Sequence, residues 1–208
     1  PNAFHIGDKT ISPSELSSWL DALEITLDQE AKQEKIITII GACYSGSFIP
    51  VLSKPNTNRI IIASAAADEE SYKGPMEGDD AVRSGEYFID ALFVQLGRGY
   101  SLKSSFEEAT RETEEYTRKG GASANSPNPY FDTAMQRPLI DDNRDTRGSN
   151  VLAQGQGDGQ AAKEVYLGTG ATYNTNAGIV EITEVTETNY LNVSASTASL
   201  WLKVNNPT

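Results

Sequence analysis

The spacing of apolar residues over the first 120 positions alternates between the period of a buried strand and that of a helix. The segments 35–40 (KIITII) and 59–64 (RIIIAS) are apolar and β-branched almost throughout, which is typical of strands covered on both faces. Apolar residues recur at helical spacing from Ser14 to Leu23, over 84–96 and over 101–116, and Ser12 or Ser14 can cap the first helix. This alternation predicts an α/β fold: a layered αβα sandwich with a mainly parallel sheet.

The pattern changes after residue 120, which predicts a different organisation for the rest of the chain. Residues 120–129 are rich in Gly, Ser, Asn and Pro, and 141–159 form a polar stretch without periodicity. Short strands are predicted over 165–167, 179–185, 191–193 and 199–204. We therefore expect an α/β domain at 1–120, a polar linker at 121–164 and a small β-rich segment at 165–208.

Composition narrows the classes of function. Acidic residues number 29 against 17 Lys and Arg, and this charge disfavours binding to nucleic acid or to anionic membranes. The longest apolar run, Ile36–Ile40, is the size of a strand and too short for a membrane span. A single cysteine excludes an internal disulfide and a thiolate-only metal site. A single histidine excludes mechanisms that need two histidines from this chain.

The strongest candidate for chemistry is Cys43, which follows the first buried strand in the segment GACYSGS (41–47). Ligands of open α/β sheets bind beyond the carboxyl ends of the strands. Gly46 and its small neighbours allow a sharp turn whose backbone N–H groups can face an oxyanion. We interpret Cys43 as a nucleophile, because a thiolate is a good one; the alternative is a small buried apolar residue.

This segment resembles the cysteine motif of the caspase-like cysteine peptidases, most closely the legumain-like family, in which a strand is followed by an acidic residue and Ala-Cys-x-Ser-Gly-Ser. The resemblance extends to a second strand with a Ser-rich end and an acidic-Ser-Tyr cluster, here 60–64 and 68–72, and it covers about residues 1–118. It implies a caspase-like fold and peptidase activity. It also implies a pocket for the residue before the cut, formed by Ser64, Asp68, Glu70 and Tyr72. The chain departs from the pattern at Gly41, where the family usually has an acidic residue.

The resemblance also determines where the general base is expected. The family's His-Gly motif precedes the strand that here contains Phe4, so we expect the catalytic histidine upstream of Pro1. His5 is the second candidate, although it lies within an apparent strand and is not followed by glycine. The implied mechanism is acyl transfer through the Cys43 thiolate, with an oxyanion held by backbone N–H groups. The acidic pocket residues favour a basic substrate residue, or they form a solvated acidic loop.

A second candidate site lies in the polar stretch after the α/β region. Asp141, Asn143 and Asp145 place oxygen ligands at alternate positions, as in the opening of a calcium loop, and Asp158 is placed to close a variant loop. We therefore predict a Ca²⁺ site from these four residues, with a flexible polar linker as the alternative. Similarity to bacterial relatives implies that this stretch leads into an immunoglobulin-like domain that begins in 165–208.

Two classes of function stay open at this point. The first is a cysteine endopeptidase with a peptide or protein substrate, its own parent chain included, and no required cofactor. The second is a catalytically inactive caspase-like structural or interaction module of a larger extracellular or cell-surface protein. The intact Ala-Cys-x-Ser-Gly-Ser turn favours the first, whereas Gly41 and the absent His-Gly motif favour the second. We expect an extracellular or cell-surface location, and we leave assembly into a homo-oligomer or filament open.

Overall fold

The computed structural model describes residues 3–74, 76–77, 82–83, 85–118, 135–152, 155, 157–167, 171–174, 179–182 and 201–204. The helices and strands of these residues follow in chain order. They are β1 (Phe4–Ile6), β2 (Lys9–Ile11), α1 (Pro13–Thr26), β3 (Ile36–Ile40), α2 (Ile49–Leu52), β4 (Arg59–Ala63), β5 (Met76–Glu77), β6 (Val82–Arg83), α3 (Tyr87–Gly97), α4 (Leu102–Arg118), β7 (Leu139–Asp141), β8 (Ala171–Asn174), β9 (Ile179–Ile182) and β10 (Trp201–Val204). Short 3-10 turns cover Ala31–Gln33, Ser45–Phe48 and Ala162–Glu164.

A three-stranded sheet in the order β3-β4-β7 organises the first part of the chain. Strands β3 and β4 are parallel, with Ile40 opposite Ala63 at their carboxyl ends, as the sequence predicts. Strand β7, which the sequence analysis does not predict, pairs antiparallel with β4 and places Leu139 opposite Ala63. The sheet is therefore mixed. Strand β7 runs toward the amino ends of β3 and β4, and Asp141 is its last residue.

The alternation of side chains along β4 creates two hydrophobic cores, one on each face of the sheet. Every residue of β4 is buried. Ile60 and Ile62 belong to a core with α3 and α4, where Phe88 meets Phe106 edge to face at a ring-centroid distance of 5.8 Å. Ile61 belongs to a second core with residues that follow the Cys43 turn and with apolar residues of α1. Helices thus cover both faces, and the predicted αβα architecture is confirmed.

Helix α1 begins where its sequence predicts. The Ser12 hydroxyl accepts from the backbone N–H of Glu15 at 3.2 Å, and the Glu15 carboxylate accepts from the backbone N–H of Ser12 at 2.8 Å. This reciprocal capping box fixes the first turn, and Pro13 fits there because no partner is needed for its missing N–H. On the predicted apolar face, Trp19 and Leu23 are 54% and 46% exposed, so the buried stripe is narrower than predicted.

Other differences from the sequence predictions lie in the later segments and at one edge of the sheet. The strand predicted over 165–167 is wrong: Val165 follows a 3-10 turn, and its carbonyl accepts from the N–H of Leu102 at 2.7 Å. Ile37 of β3 is 38% exposed, because β3 lies at the edge of the described sheet. In a separate sheet, β9 pairs with β8 and β10, whereas the predictions at 120–129 and 191–193 lie outside the described residues. Within the described residues, no helix is long and apolar enough to cross a membrane.

Candidate active site

Cys43 lies in the tight turn between β3 and the 3-10 turn Ser45–Phe48, at the carboxyl edge of the parallel strands. Its side chain is exposed. Tyr44, the next residue, has φ of +61° and ψ of +17°. These angles lie in the left-handed region of the backbone, which residues other than glycine seldom adopt. The turn therefore reverses the chain directly after the cysteine and presents the thiol to solvent.

Gly46 allows this turn to approach the segment that follows β4. A Cβ atom at Gly46 would lie 2.7 Å from the backbone N of Ala67 and 2.9 Å from the backbone C of Ala66. The Gly46 N–H donates to the Ala65 carbonyl at 2.8 Å, and the Ser45 hydroxyl accepts from the Ala65 N–H at 3.1 Å. Gly46 thus acts through close backbone approach, and its own N–H is already used.

From Ala42 to Ser47, the backbone N–H groups have acceptors among the described residues at every position but Cys43. Ala42 donates to the Ser64 hydroxyl at 3.1 Å and Tyr44 to the Glu69 carbonyl at 2.7 Å. Ser45 and Ser47 donate to carbonyls within the turn, at 3.2 and 3.0 Å. The N–H of Cys43 has no acceptor among the described residues. A free donor beside an exposed thiol is the arrangement that an oxyanion site requires.

Within the described residues, the groups that form hydrogen bonds with the Cys43 sulfur all belong to Ser71. The Ser71 N–H donates to Sγ at 3.4 Å, and the Ser71 hydroxyl lies 3.7 Å from it. The sequence analysis does not name Ser71 as a site residue, although it stands within the acidic-Ser-Tyr cluster 68–72. His5 is exposed on β1, opposite Thr10, and it has no hydrogen bond with Cys43. Within the described residues, the sulfur thus has no hydrogen bond with the candidate base His5, whose role stays a prediction.

Two of the predicted pocket residues lie beneath the site. Ser64 is completely buried and Tyr72 is 2% exposed. The backbone N–H of Tyr72 donates to the side-chain oxygen of Gln136 at 2.9 Å. Burial raises the pKa of the Tyr72 hydroxyl to about 12. Gln136, which is also completely buried, has no signal in the sequence, because it precedes a strand of only three residues.

The acidic residues of the pocket differ in their surroundings. Glu69 pairs with Arg137, whose side-chain Nε lies 2.5 Å from its carboxylate and whose N–H donates to it at 2.7 Å. The Glu70 carboxylate accepts a 3.4 Å hydrogen bond from the Tyr44 hydroxyl, and its charge is the main reason that the pKa of Tyr44 is raised. Asp68 is exposed. Much of the acidic charge at Glu69 is therefore already balanced within the chain.

Glu86 is a buried carboxylate that the sequence analysis does not identify. It caps α3, where one oxygen accepts from the N–H of Ile89 at 2.9 Å and the other from the Gln136 amide at 2.6 Å. Burial is the main cause that raises its pKa to about 7. Glutamate is an unusual residue at the capping position directly before a helix. This position of Glu86 is the sequence feature that could have identified it as a site residue.

The predicted calcium ligands lie in a loop whose carboxylates accept hydrogen bonds from the chain. Asp141 accepts from the N–H of Arg144, Asn143 from that of Asp145, and Asp145 from that of Arg147, at 2.7–2.8 Å. Asp158 accepts from the Ser149 hydroxyl at 2.7 Å and from two backbone N–H groups. Within the described residues, no three His, Cys, Asp or Glu side chains are grouped to hold a metal ion. The calcium site stays a prediction.

Comparison with protein families gives a match that covers the α/β region. The family model for the Peptidase C13 family matches residues 4–142. The matched segment begins at β1 and ends one residue after β7, so it includes the Cys43 turn, both cores and the buried polar residues beneath the site. Comparison with curated protein sequences gives no match.

Proposed function

Because the chain belongs to the Peptidase C13 family, a family of legumain-type cysteine peptidases, we propose that it is a cysteine endopeptidase domain with Cys43 as nucleophile. The observation that carries this proposal is the pairing of an exposed thiol with the free N–H of the same residue. Packing alone does not require either feature, since each neighbouring N–H of the turn has an acceptor.

The proposed chemistry is acyl transfer to sulfur. The Cys43 thiolate attacks the carbonyl carbon of the scissile peptide bond, and the new C–S bond places the negative charge on the carbonyl oxygen. The N–H of Cys43 donates to that oxygen. When the C–N bond breaks, an imidazolium protonates the leaving amine, and water then hydrolyses the thioester. The Ser71 N–H, 3.4 Å from the sulfur, holds the sulfur in place before the attack.

The proposed base is a histidine in a segment that precedes Pro1 in the parent polypeptide. The position of His5 supports this choice, because His5 is exposed on β1 and has no hydrogen bond with Cys43. A histidine upstream of β1 would restore the His-Gly motif that the legumain-like family uses. The proposed substrate is a peptide or protein, and processing of the parent chain itself is part of the proposal.

The test uses the parent polypeptide with its natural upstream segment. Peptide cleavage and self-cleavage are compared between the wild type and Cys43→Ala. We expect cleavage to fall to the background rate in the variant and its unfolding temperature to match the wild type, because the exposed thiol contributes little to packing. Cleavage that persists in Cys43→Ala would exclude Cys43 as the nucleophile.

The absence of a described base beside Cys43 favours one second candidate, a catalytically inactive structural or interaction module. This candidate predicts no cleavage by the wild-type parent protein on a peptide library that varies the residue before the cut. The calcium site, the extracellular or cell-surface location and assembly into oligomers or filaments stay predictions. Each needs its own measurement: calcium titration, localisation in cells and the mass of the particle in solution.

A further inference from the structure

Three polar side chains lie directly behind the two segments that flank the Cys43 sulfur. Ser64 and Gln136 are completely buried, and Glu86 is mostly buried. They come from the end of β4, from the residue before α3, and from the segment before β7. We refer to Ser64, Glu86 and Gln136 together as the polar clamp. Its three members are far apart in the sequence, so their contact is a property of the fold.

Gln136 is the central member of the polar clamp. Its side-chain nitrogen donates to the Ser64 carbonyl at 2.7 Å and to the Glu86 carboxylate at 2.6 Å. Its side-chain oxygen accepts from the N–H of Tyr72 at 2.9 Å. Tyr72 directly follows Ser71, whose N–H donates to the sulfur. Gln136 therefore supports the segment 71–72, which contains the N–H group that donates to Sγ.

Ser64 supports the segment 42–43. Its hydroxyl accepts from the N–H of Ala42, the residue before Cys43, at 3.1 Å, and its carbonyl accepts from the Gln136 amide at 2.7 Å. The Glu86 carboxylate accepts from the same amide nitrogen at 2.6 Å. Gln136, held by Ser64 and Glu86, therefore connects the segment 42–43 with the segment 71–72.

Gly41 shows how closely the turn is packed against this region. A Cβ at position 41 would lie 2.7 Å from Cγ1 of Ile89 and 3.8 Å from a carboxylate oxygen of Glu86. The residue with which the chain departs from the legumain-like motif is therefore the one that leaves space for α3 to approach. This close approach brings the carboxylate that caps α3 to the back of the cysteine turn.

We propose that the polar clamp is a positioning unit for Cys43: it fixes the distance and direction between the sulfur and the N–H of Ser71. None of its members contacts the sulfur, so they are positioning residues and not catalytic ones. The inference rests on the proposed role of Cys43 as nucleophile. The hydrogen bond from the Ser71 N–H to the sulfur persists only while both segments keep their places.

The test measures alkylation of Cys43 by iodoacetamide as a function of pH, with the 208-residue chain as it stands and the variants Ser64→Ala and Gln136→Met. Ser64→Ala removes the acceptor for the Ala42 N–H, and Gln136→Met removes the acceptor for the Tyr72 N–H. Neither variant changes a charge. We expect the alkylation rate at a given pH to fall several-fold in each variant, because the sulfur loses its fixed position beside the Ser71 N–H.

The matched control is Glu24→Gln. Glu24 pairs with the buried side chain of Arg59 at the opposite end of β4, so the change lowers stability without contact with the site. We expect an unchanged alkylation profile in this control. If folded Ser64→Ala and Gln136→Met also keep the wild-type profile, the clamp is structural only and the inference is overturned. If Gln136→Met does not fold, Ser64→Ala alone decides.

The same experiment separates this inference from the proposed function. Alkylation reports the thiol itself and needs neither a base nor a substrate. A shifted profile in a parent protein that cleaves no peptide would support the clamp and contradict the peptidase. An unchanged profile in a parent protein that cleaves peptides would support the peptidase and contradict the clamp.

Discussion

Two polar loops lie at opposite ends of the strands of the same sheet, and their functional groups have opposite surroundings. The Cys43 turn follows β3 and leaves the cysteine exposed and its N–H group without an acceptor among the described residues. The loop from Asp141 to Asp158 follows β7 and buries the carboxylates of Asp141, Asp142 and Asp158. In that loop Asp142, which the sequence analysis does not single out, accepts from the N–H groups of Gly159 and Ala162 at 2.8 and 2.7 Å.

The difference shows that the polar groups of the two loops have different roles. Buried carboxylates that accept backbone N–H groups replace the pairing that a helix or strand would supply, so they stabilise an irregular segment. An exposed nucleophile with a free donor beside it stabilises nothing, and it is expected only where a reaction requires it. The acidic loop is thus a structural element in the described fold, and the cysteine turn is the one for which we propose a reaction.

The largest expected effect on stability is at Asp142. Asp142→Ala would leave the N–H groups of Gly159 and Ala162 buried without an acceptor. Each unsatisfied buried donor costs about 1–3 kcal/mol, so we expect the free energy of unfolding to fall by about 4 kcal/mol. Chemical denaturation monitored by circular dichroism measures this loss.

The control for that prediction is Asp145→Ala in the same loop, because Asp145 is exposed and accepts from one N–H group. We expect a loss well below that of Asp142→Ala. Iodoacetamide alkylation of Cys43 should be unchanged in both variants, since the loop lies at the other end of the strands. A changed alkylation profile in Asp142→Ala would show that the two regions are coupled and would end the contrast.

The second prediction compares one buried carboxyl from each region. Burial raises the pKa of Glu86 from 4.5 to about 7 and that of Asp158 from 3.8 to about 6. Between these values the folded state binds more protons than the unfolded state, so the free energy of unfolding decreases as pH rises. The decrease is about 3 kcal/mol for each group. It is complete above pH 7 for Glu86 and above pH 6 for Asp158.

Single variants assign each part of this pH dependence. In Glu86→Gln only the Asp158 part of the decrease, between pH 3.8 and 6, should remain, and in Asp158→Asn only the Glu86 part, between pH 4.5 and 7. Urea unfolding across the pH range measures both. A wild-type stability that rises with pH through these windows would contradict the raised pKa values. Only Glu86→Gln should also alter the alkylation of Cys43.

The sequence predicts those parts of the fold that depend on local periodicity. Helix α1 is specified by its capping box and Pro13, and β3 and β4 by their runs of β-branched residues. The segment 165–167 has a similar strand pattern, yet the Val165 carbonyl accepts from the N–H of Leu102 instead of a neighbouring strand. A three-residue strand such as β7 has too few residues to show a period, and pairing with β4 decides its conformation.

The candidate site also contains residues that local sequence identifies and residues that only the fold brings together. Cys43 could be identified because a strand, a turn and a nucleophile are adjacent in the sequence. Glu86 and Gln136 could not, because their burial and their contacts arise from packing between segments 50 positions apart. A polar residue acquires such a role only when tertiary structure removes it from water, and a single sequence carries no record of that.

The smallest expected effect on stability concerns Gly46, and it relates stability to reactivity within one turn. In Gly46→Ala the new Cβ would meet backbone atoms of Ala66 and Ala67 at 2.9 and 2.7 Å, and backbone cannot rotate away. We expect a loss of about 2 kcal/mol from overpacking. We also expect slower alkylation of Cys43, because the turn must shift.

The matched control is Gly97→Ala, since a Cβ at Gly97 would have no atom within 4 Å. This control should keep the wild-type alkylation profile. If Gly46→Ala loses stability and alkylation is unchanged, the thiol tolerates displacement of its own turn. The close approach at Gly46 would then serve packing alone.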